Sequence, residues 1–326
     1  MFDDPRRSPA CSPARPQSDY SDGVNYSSLE EQAALVDLLR SRPGGMNWIE
    51  ITSEVLTHGG PLELAEALSG ESLFVTDERQ AEMDQARADV GRWAEGGLTM
   101  LTIVDDRYPG SVRDIHQAPP FLFAEGQLLS VDIGVSVVGS REVSAQGIKM
   151  AAAVAGALAD MGVTVISGLA KGVDTTAHRA AIDAGGRPVG LIATGIDRAY
   201  PAENRDLHRQ VAEHGLLLSQ FWPDAPPQKH NFLMRNATMS GYGVATVVIE
   251  AGEHSGARAQ ARMAFEHGRP VILTDMVVNR TEWARALIGR PGVFVASGTE
   301  DVVEVVRTLV DEPNQINSVL GALIAS

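Results

Sequence analysis

The chain has one cysteine, Cys11, among its 326 residues, so neither a disulfide bond nor a zinc site built from cysteines forms within a single chain. The sequence also lacks an apolar run of the roughly 18 residues that a membrane-spanning helix needs, and a positively charged start leading into an apolar signal segment. Its eight histidines show no metal-ligand spacing. These absences predict a cytoplasmic protein without a membrane anchor, a metal site, a cofactor or redox chemistry.

Two common nucleotide-binding motifs are also missing. No GxxxxGK[ST] loop is present, which excludes a Walker-type NTPase. The glycine turn at Gly139 reads GSRxxxxxG rather than GxGxxG, and the next predicted strand ends in Ser167 and Gly168, where a dinucleotide-binding domain carries an Asp or Glu for the ribose. Both features weigh against a dinucleotide-dependent oxidoreductase.

Basic charge is scarce, with 27 Lys and Arg against 42 Asp and Glu and a formal net charge of −15. This balance argues against a broad nucleic-acid surface, because phosphate contacts need Lys and Arg. The acidity is uneven, since residues 1–130 carry a net charge of −12 and residues 131–326 only −3. A local basic pocket in the second part is therefore compatible with the composition.

The length and the hydrophobic fraction of 44% predict about two globular domains. Between residues 131 and 311, short apolar runs alternate with helical patterns of ten or more residues, which is typical of an α/β fold with a doubly wound, mostly parallel sheet. The predicted divisions are a disordered tail over 1–27, a small helical domain over 28–97, an extended connector packed on the main domain over 98–130, the main domain over 131–311, and a C-terminal tail over 312–326.

Small, hydroxyl-bearing and basic residues follow the predicted strands. Because parallel strands end at one edge of the sheet where helices begin, bare backbone N–H groups and helix N-termini at this edge predict an anion pocket. The alternative is that the glycines serve only to reverse the chain. The residues at these strand ends are Gly139, Ser140 and Arg141, then Ser167, Gly168 and Lys171, then Thr194 to Asp197, and finally Glu250 to Gly256, with Arg235 and Asn236 on a helix over the same rim.

Candidate catalytic groups are few. Asp174 and His178 lie four residues apart on one helix face, where they form either an acid–base pair or, more commonly, a pair that braces the helix. Glu250 follows a buried strand at the same crevice. It either acts on a bound nucleotide or accepts hydrogen bonds from nearby helix amides, and the sequence favours neither.

The glycine turns belong to five motifs that occur in a fixed order. They read GSR at 139–141, SGLAKGVDxxAH at 167–178, TGIDxxYPxxN at 194–204, FxxRNxxxSG at 232–241, and EAxxxSG at 250–256 followed by EHGRPV at 266–271. Together they resemble the DNA-processing protein A family, also called DprA or Smf. The segments 97–109 and 118–126 look like the part that precedes this family's Rossmann-like domain.

The resemblance implies a Rossmann-like domain preceded by a small helical domain of the SAM-like type. It also implies a homodimer without catalysis that binds single-stranded DNA and loads a RecA-type recombinase onto incoming or exposed strands, past single-strand-binding protein, in natural transformation and recombination. The implied DNA- and phosphate-binding residues are Gly139, Ser140, Arg141, Ser167, Gly168, Lys171, Phe232, Arg235, Asn236, Ser255 and Gly256. Phe232 either stacks a base or packs in the core.

The sequence departs from the family pattern at several points. Ala237 stands where the family usually has Arg, Gln260 where Thr is common, and Thr274-Asp275-Met276 where a Pro-Gly turn is usual. The chain stops at Ser326, which leaves no room for the C-terminal winged-helix domain of many members. The alternatives are a nucleotide-binding or nucleotide-hydrolysing domain of the same superfamily that uses Glu250, in a defence or phage context, and an interaction scaffold that uses the apolar C-terminal tail.

Overall fold

The structure is a computed structural model that describes residues 26–69 and 77–324, with side-chain surroundings given as far as Asp311. Most of the predicted disordered tail, residues 1–25, lies outside the described residues. Its end does not fit that prediction, because Ser27 is buried and its backbone N–H donates to Asp105 Oδ2 at 3.1 Å. Ordered structure therefore begins at least one residue before residue 28, the predicted start of the helical domain.

Four helices form the N-terminal region: α1 Leu29–Ser41, α2 Trp48–His58, α3 Pro61–Ser69 and α4 Asp77–Glu95. Helix α1 begins with a capping box in which the Ser28 hydroxyl accepts from Glu31 N and the Glu31 carboxylate accepts from Ser28 N. Helix α2 ends at Gly59, whose φ of 93° is the left-handed conformation that glycine adopts without strain. The predicted helical region is confirmed.

One nine-stranded sheet forms the rest of the fold, in the order β1-β2-β6-β5-β4-β3-β7-β8-β9. All pairs from β6 to β9 across the sheet are parallel, and the predicted doubly wound sheet is confirmed. The strands are β1 Thr99–Thr102, β2 Phe121–Gly126, β3 Gly134–Val138, β4 Thr164–Ser167, β5 Pro188–Ile192, β6 Leu216–Ser219, β7 Ala245–Val248, β8 Val271–Thr274 and β9 Val293–Ala296. The connecting helices are α5 Gly110–Arg113, α6 Ala145–Asp160, α7 Val173–Asp183, α8 Arg205–His214, α9 Lys229–Tyr242, α10 Gly256–Glu266, α11 Asp275–Arg280, α12 Glu282–Arg285 and α13 Thr299–Ile324.

From its prolines, we expect the segment over 98–130 to be a connector that only packs on the main domain. In the structure it is also part of the sheet. It supplies β1 and β2, and β2 pairs antiparallel with β6, so the segment extends the same sheet. The reason is visible in the burial of β2, whose first four residues are all buried and make this strand part of the core. The prolines that suggest a connector, Pro109, Pro119 and Pro120, all lie between β1 and β2.

The last helices of the fold follow β8 and β9. Between these two strands lie the short helices α11 and α12, which are separate because Thr281 between them has an extended backbone with φ −131° and ψ 141°. Helix α13 runs from Thr299 to Ile324 and so includes most of the predicted C-terminal tail over 312–326. Within the described residues, no helix is both long and apolar enough to cross a membrane.

Aromatic side chains join the helical region to the edge of the sheet. Trp222, which follows β6, stacks on Phe121 at 4.7 Å between ring centroids and on Trp93 of α4 at 5.9 Å. Trp48 of α2 meets Phe121 at 5.5 Å. Such contacts bury large apolar areas, so the four helices and the sheet share one core.

The topology places a crevice at the centre of the sheet. From β3 the chain winds through β4, β5 and β6 to one side, and from β7 through β8 and β9 to the other, so the winding direction reverses between β3 and β7. The loops that follow these two strands diverge over the carboxyl edge, which is where open α/β sheets bind ligands.

Candidate functional site

A cleft of about 570 Å³ lies at this switch point. The loops after β3, β4 and β5 form one side of it, and helices α9 and α10 form the other. The lining residues are Val138, Gly139, Arg141, Ala170, Asp174, Tyr200, Lys229, Phe232, Arg235, Asn236, Met239, Ser255, Gly256, Ala257 and Gln260. Seven of the residues predicted from the sequence are among them: Gly139, Arg141, Phe232, Arg235, Asn236, Ser255 and Gly256.

The loops after β3 and β4 are packed directly against each other. Val173 N at the start of α7 donates to Ser140 O at 3.2 Å, and Gly172 has a φ of 78°. Asn204, which is buried, donates from Nδ2 to Leu169 O and to Thr175 Oγ1, both at 2.8 Å. These bonds hold the second loop in a backbone shape that includes a left-handed residue, Leu169, with φ 55°.

Arg235 is the buried cation of the cleft, with 6% of its surface exposed. Its Nη1 donates to Leu191 O at 3.1 Å, and its guanidinium lies against Gly168, where any Cβ would overlap it. Burial lowers the pKa of Arg235, and the nearby Asp174 carboxylate opposes that shift. Gly168 is therefore required by the close approach of the guanidinium.

Arg141 and Phe232 form the outer rim. The Arg141 guanidinium carbon lies 5.2 Å from the centre of the half-buried Phe232 ring, and the exposed Tyr200 ring meets the same ring edge-on at 5.9 Å. Arg141 is exposed and makes no ion pair in the part of the chain that the structure describes. The rim thus combines an available positive charge with an aromatic face, the pair of features that binds single-stranded nucleic acid.

The N-terminus of α10 faces the cleft. Ser255 caps this helix by accepting from Arg258 N at 3.2 Å, and Asn236 Nδ2 donates to Gly256 O at 3.4 Å. A helix N-terminus presents unpaired backbone N–H groups and a partial positive charge. The Ser255-Gly256 turn therefore lies where the strand-end pattern predicts an anion-binding element.

Lys171 and Gly168 belong to a smaller pocket of about 60 Å³ that adjoins the cleft beside Arg141 and Phe232. The Lys171 amine is already engaged, because its Nζ lies 2.5 Å from Glu203 Oε1. Both side chains are more than half exposed, and ion pairs of this kind are weak. An anion that entered this pocket would have to compete with Glu203 for the amine.

Ser140 and Ser167 do not line either pocket. The Ser140 hydroxyl donates to Glu142 O at 2.9 Å and accepts from Glu142 N, which closes its own turn. The Ser167 hydroxyl is fully buried and donates to Val137 O at 2.7 Å, between neighbouring strands. The sequence predicts both serines as binding residues because they follow strands. In the structure, however, both hydroxyls are bonded to backbone groups of the protein.

The Glu250 carboxylate accepts hydrogen bonds from other protein groups through both of its oxygens. Its Oε2 accepts from Ser144 Oγ at 2.6 Å and Ser144 N at 3.2 Å, and its Oε1 accepts from Arg280 at 2.8 Å. It is buried and is not among the residues that line the cleft. This arrangement matches the second alternative from the sequence, a carboxylate that accepts hydrogen bonds at a helix N-terminus.

Asp174 and His178 are both buried in α7. Asp174 Oδ2 accepts from Gly168 N at 3.2 Å and from Ala170 N at 3.3 Å, so it closes the loop that leads into the helix. Burial raises the pKa of Asp174, and the charge of Arg235 opposes that rise. The carboxylate thus braces the loop that leads into α7. Neither ring nitrogen of His178 has a hydrogen-bond partner among the described residues, so Asp174 and His178 do not form the pair that the sequence predicts.

Three comparisons bear on the family. The family model for DNA recombination-mediator protein A matches residues 99–306, which is more than half of the chain. The chain belongs to this family. The resemblance inferred from the five motifs is thereby confirmed.

Individual members agree with the assignment. The DNA processing protein DprA of Bacillus subtilis is 36% identical over 182 residues, which cover 55% of this chain and 61% of that protein. The Streptococcus pneumoniae protein of the same name is 35% identical over 207 residues, 63% of this chain and 73% of the relative. The aligned part of the chain thus spans less than two thirds of the Bacillus subtilis protein.

Solved structures support the fold. The X-ray structure of DNA processing protein A from Streptococcus pneumoniae has a TM-score of 0.67 at 28% identity, and covers 86% of this chain and 98% of that one. A DNA processing protein A from Helicobacter pylori, described with a single-stranded DNA binding mode, has a TM-score of 0.58 at 22% identity and shares the fold. It covers 65% of this chain and 96% of that one.

Some residues of the cleft are absent from the site predicted from the sequence. Lys229 and Tyr200 line the cleft but do not figure among the predicted binding residues. Lys229 lies three residues before Phe232 on α9, and this spacing places both on one helix face. Helical spacing from Phe232 is therefore the sequence pattern that identifies Lys229. Tyr200 reaches the cleft from the loop after β5, and its fixed place in the TGIDxxYPxxN motif at 194–204 is the sequence pattern that identifies it.

His178 gives the fold a measurable pH dependence. Burial lowers its pKa from 6.5 to about 3, and the charge of Arg235 acts in the same direction. At a pH between these two pKa values, His178 is protonated in the unfolded chain and neutral in the folded chain. The stability that is present above pH 6.5 is therefore lost as the pH falls toward 3. The loss amounts to about 1.4 kcal/mol per pH unit.

We expect the free energy of unfolding to fall between pH 7.5 and pH 5.5 in the wild type, by about 1.4 kcal/mol more than in His178→Gln. The difference corresponds to one pH unit, because only the part of the interval below pH 6.5 lies below the pKa of His178 in the unfolded chain. Urea unfolding at the two pH values measures the difference. Equal losses in both proteins would show that His178 titrates normally in the folded state.

Proposed function

We propose that the chain binds single-stranded DNA in the cleft and presents it to a RecA-type recombinase, in DNA processing during transformation and recombination. The observation that carries the proposal is the rim of the cleft, where the Arg141 guanidinium lies 5.2 Å from the Phe232 ring beside the N-terminus of α10. A cation and an aromatic face together suit a chain of alternating phosphates and bases. Membership of the DNA recombination-mediator family supports the same function.

Within this proposal each feature of the rim has a task. Arg141, Lys229 and the first N–H groups of α10 attract a backbone phosphate, since these groups are positive and line one cleft. Phe232 stacks a base, a contact worth about 1–3 kcal/mol. The net charge of −15 does not oppose this, because most of the acidity lies in residues 1–130.

The proposal includes no catalytic step. Glu250, which the alternative hydrolase requires, already accepts three hydrogen bonds, from Ser144 and Arg280, and does not line the cleft. No group of three or more His, Cys, Asp or Glu suited to a metal ion occurs in the described part of the chain. Turnover of nucleoside monophosphates by the purified protein contradicts this part of the proposal.

A salt titration tests DNA binding. We expect oligo-dT affinity to fall linearly with log salt concentration, and Arg141→Ala to reduce the steepness of that line by about 0.7, the value for one phosphate contact on a single strand. At low salt the variant should bind about tenfold more weakly, an effect of about 1.4 kcal/mol. Fluorescence anisotropy with labelled oligo-dT measures both quantities.

The matched control is Arg179→Ala, because Arg179 is also exposed, on α7, but does not line the cleft. It should leave the affinity and the slope within error of the wild type. Failure of the wild type to bind oligo-dT at low salt, or an equal effect of the two substitutions, would refute the assignment of the cleft.

The partners of this function rest on family membership. We propose a homodimer in the cytoplasm that loads the recombinase onto strands covered by single-strand-binding protein. Recombinase filament formation on such covered DNA, followed with and without the purified protein, tests this part separately from DNA binding.

A further inference from the structure

We propose that Gln260 contacts the edge of a nucleobase, so that the inner wall of the cleft receives a base while the phosphates stay at the rim. The proposal rests on the proposed function and adds to it which part of the nucleotide enters. It also assigns a contact to a residue outside the set predicted from the sequence.

Gln260 lies on α10, four residues after Gly256, and both residues line the cleft. Its side chain is 1% exposed, and neither Oε1 nor Nε2 has a hydrogen-bond partner among the described residues. A buried amide without partners costs free energy, so such residues are rare, and each of them points to a partner outside the protein chain. Because Gln260 lies in the wall of the cleft, a ligand bound in the cleft can supply the missing hydrogen bonds.

A second unpaired donor lies in the same wall. Arg235 Nε is buried and has no partner in the described part of the chain, although Nη1 of the same side chain is bonded to Leu191 O. Helices α9 and α10, which carry these two residues, are packed together, and Asn236 Nδ2 bonds across them to Gly256 O. The wall therefore offers two donors, Gln260 Nε2 and Arg235 Nε, and one acceptor, Gln260 Oε1.

The acceptor Gln260 Oε1 favours a base over a phosphate as the group that contacts this wall. A phosphodiester has only acceptor oxygens, so placing it against this wall leaves Gln260 Oε1 facing another oxygen. The edges of all four bases carry donors and acceptors side by side, and a carboxamide pairs with such an edge through two bonds. In thymine the matching groups are N3–H and a neighbouring carbonyl.

The rim agrees with this placement. Phe232 lines the same cleft, and its ring can cover the face of a base whose edge points at the wall. The exposed Arg141 and Lys229 lie toward solvent, where the phosphates remain hydrated and salt-sensitive.

The test compares three oligonucleotides of equal length: oligo-dT, oligo-dT methylated at N3 of the base, and an abasic phosphodiester. N3 methylation removes one donor and leaves the ring and the phosphates in place. We expect the wild type to bind methylated oligo-dT about tenfold more weakly than oligo-dT, which is the typical effect of losing a bond to a buried partner. This measurement needs no variant, so it holds even if substitutions disturb folding.

Gln260→Met keeps the length of the side chain and removes both polar atoms. It should lower oligo-dT affinity about tenfold, leave abasic binding and the salt slope unchanged, and bind methylated and unmethylated oligo-dT alike. The melting temperature of the DNA-free protein should stay the same or rise, because an unpaired buried amide is removed. Gln146→Met, the same substitution at an exposed position of α6, is the control and should bind as the wild type does.

Three results overturn the inference. If Gln260→Met weakens abasic and oligo-dT binding equally and flattens the salt slope, the residue contacts phosphate. If neither N3 methylation nor Gln260→Met changes affinity while Arg141→Ala does, DNA binding stands and the base contact fails. If the wild type binds none of the three oligonucleotides, the proposed function fails and the inference with it.

Discussion

Alanine at Gly168 is expected to lower oligo-dT affinity at least tenfold and to destabilise the fold by about 1–3 kcal/mol, the range for overpacking a filled site. A Cβ at this position overlaps the Arg235 guanidinium, with Nη2 at only 2.6 Å. Arg235 is buried, so it has no space to move into without giving up its bond to Leu191 O. Displacing it also removes the charge that faces the buried Asp174 carboxylate.

Urea unfolding and oligo-dT anisotropy measure the two effects of Gly168→Ala. The control is Gly252→Ala in the loop after β7, because a Cβ on Gly252 would have no atom within 4 Å and would meet no backbone strain. It should change stability by less than about 0.5 kcal/mol. Wild-type affinity in a stably folded Gly168→Ala protein would show that Arg235 does not shape the binding surface.

Gly172→Ala is expected to cost about 3–4 kcal/mol of stability, the sum of a left-handed backbone and a steric clash. The φ of 78° disfavours any residue with a Cβ. That Cβ also overlaps Ser140 O and lies 2.8 Å from Arg141 O, and backbone atoms of this kind cannot rotate away. Because the clash is with the loop that carries Arg141, DNA binding should fall together with stability.

Gly185→Ala separates the two causes. Gly185 follows the other end of α7 and has a φ of 70°, yet its Cβ position is open, with nothing within 4 Å. This variant should lose only the conformational part, about 1–2 kcal/mol, which is the cost of a left-handed backbone in a residue with a Cβ. Equal losses at the two glycines, measured by urea unfolding, would show that the contact between the two loops contributes nothing.

These two glycines, Gly168 and Gly172, explain how an acidic chain can carry a local basic site. Gly168 allows the buried Arg235 to approach the loop after β4, and Gly172 allows that loop to pack on the loop bearing Arg141. The positive groups are therefore placed by close backbone packing and need no excess of Lys and Arg over the whole chain. Their field acts over about 8–10 Å in physiological salt, so the acidic N-terminal region weakens it little.

Much of the fold follows from local sequence patterns. The alternation of short apolar runs with helical segments determines the parallel strands, because a strand buried on both faces must be apolar throughout. The strand-end residues determine where the cleft lies, since the carboxyl ends of neighbouring parallel strands share one edge. Arg141 and the Ser255-Gly256 turn are identified in this way.

Other features depend on contacts between residues far apart in the chain. The prolines that precede β2 suggest a connector, and only the pairing of β2 with β6 makes the strand part of the sheet. From the sequence Lys171 is a free cation and Ser167 a ligand, but Glu203 lies beside the lysine and the serine hydroxyl is bonded to Val137 O. No local pattern reveals the partner of a polar side chain.

The sequence by itself determined the family, the doubly wound sheet and the edge at which the cleft opens, because these depend on residue types at fixed local spacing. The tertiary structure alone decided which polar groups at that edge are already paired. In the folded chain Glu250 accepts hydrogen bonds from Ser144 and Arg280, whereas the side-chain amide of Gln260 in the cleft wall has no partner among the described residues. Hydrogen-bond pairing is a property of three-dimensional neighbours, and here those neighbours come from separate strands and helices.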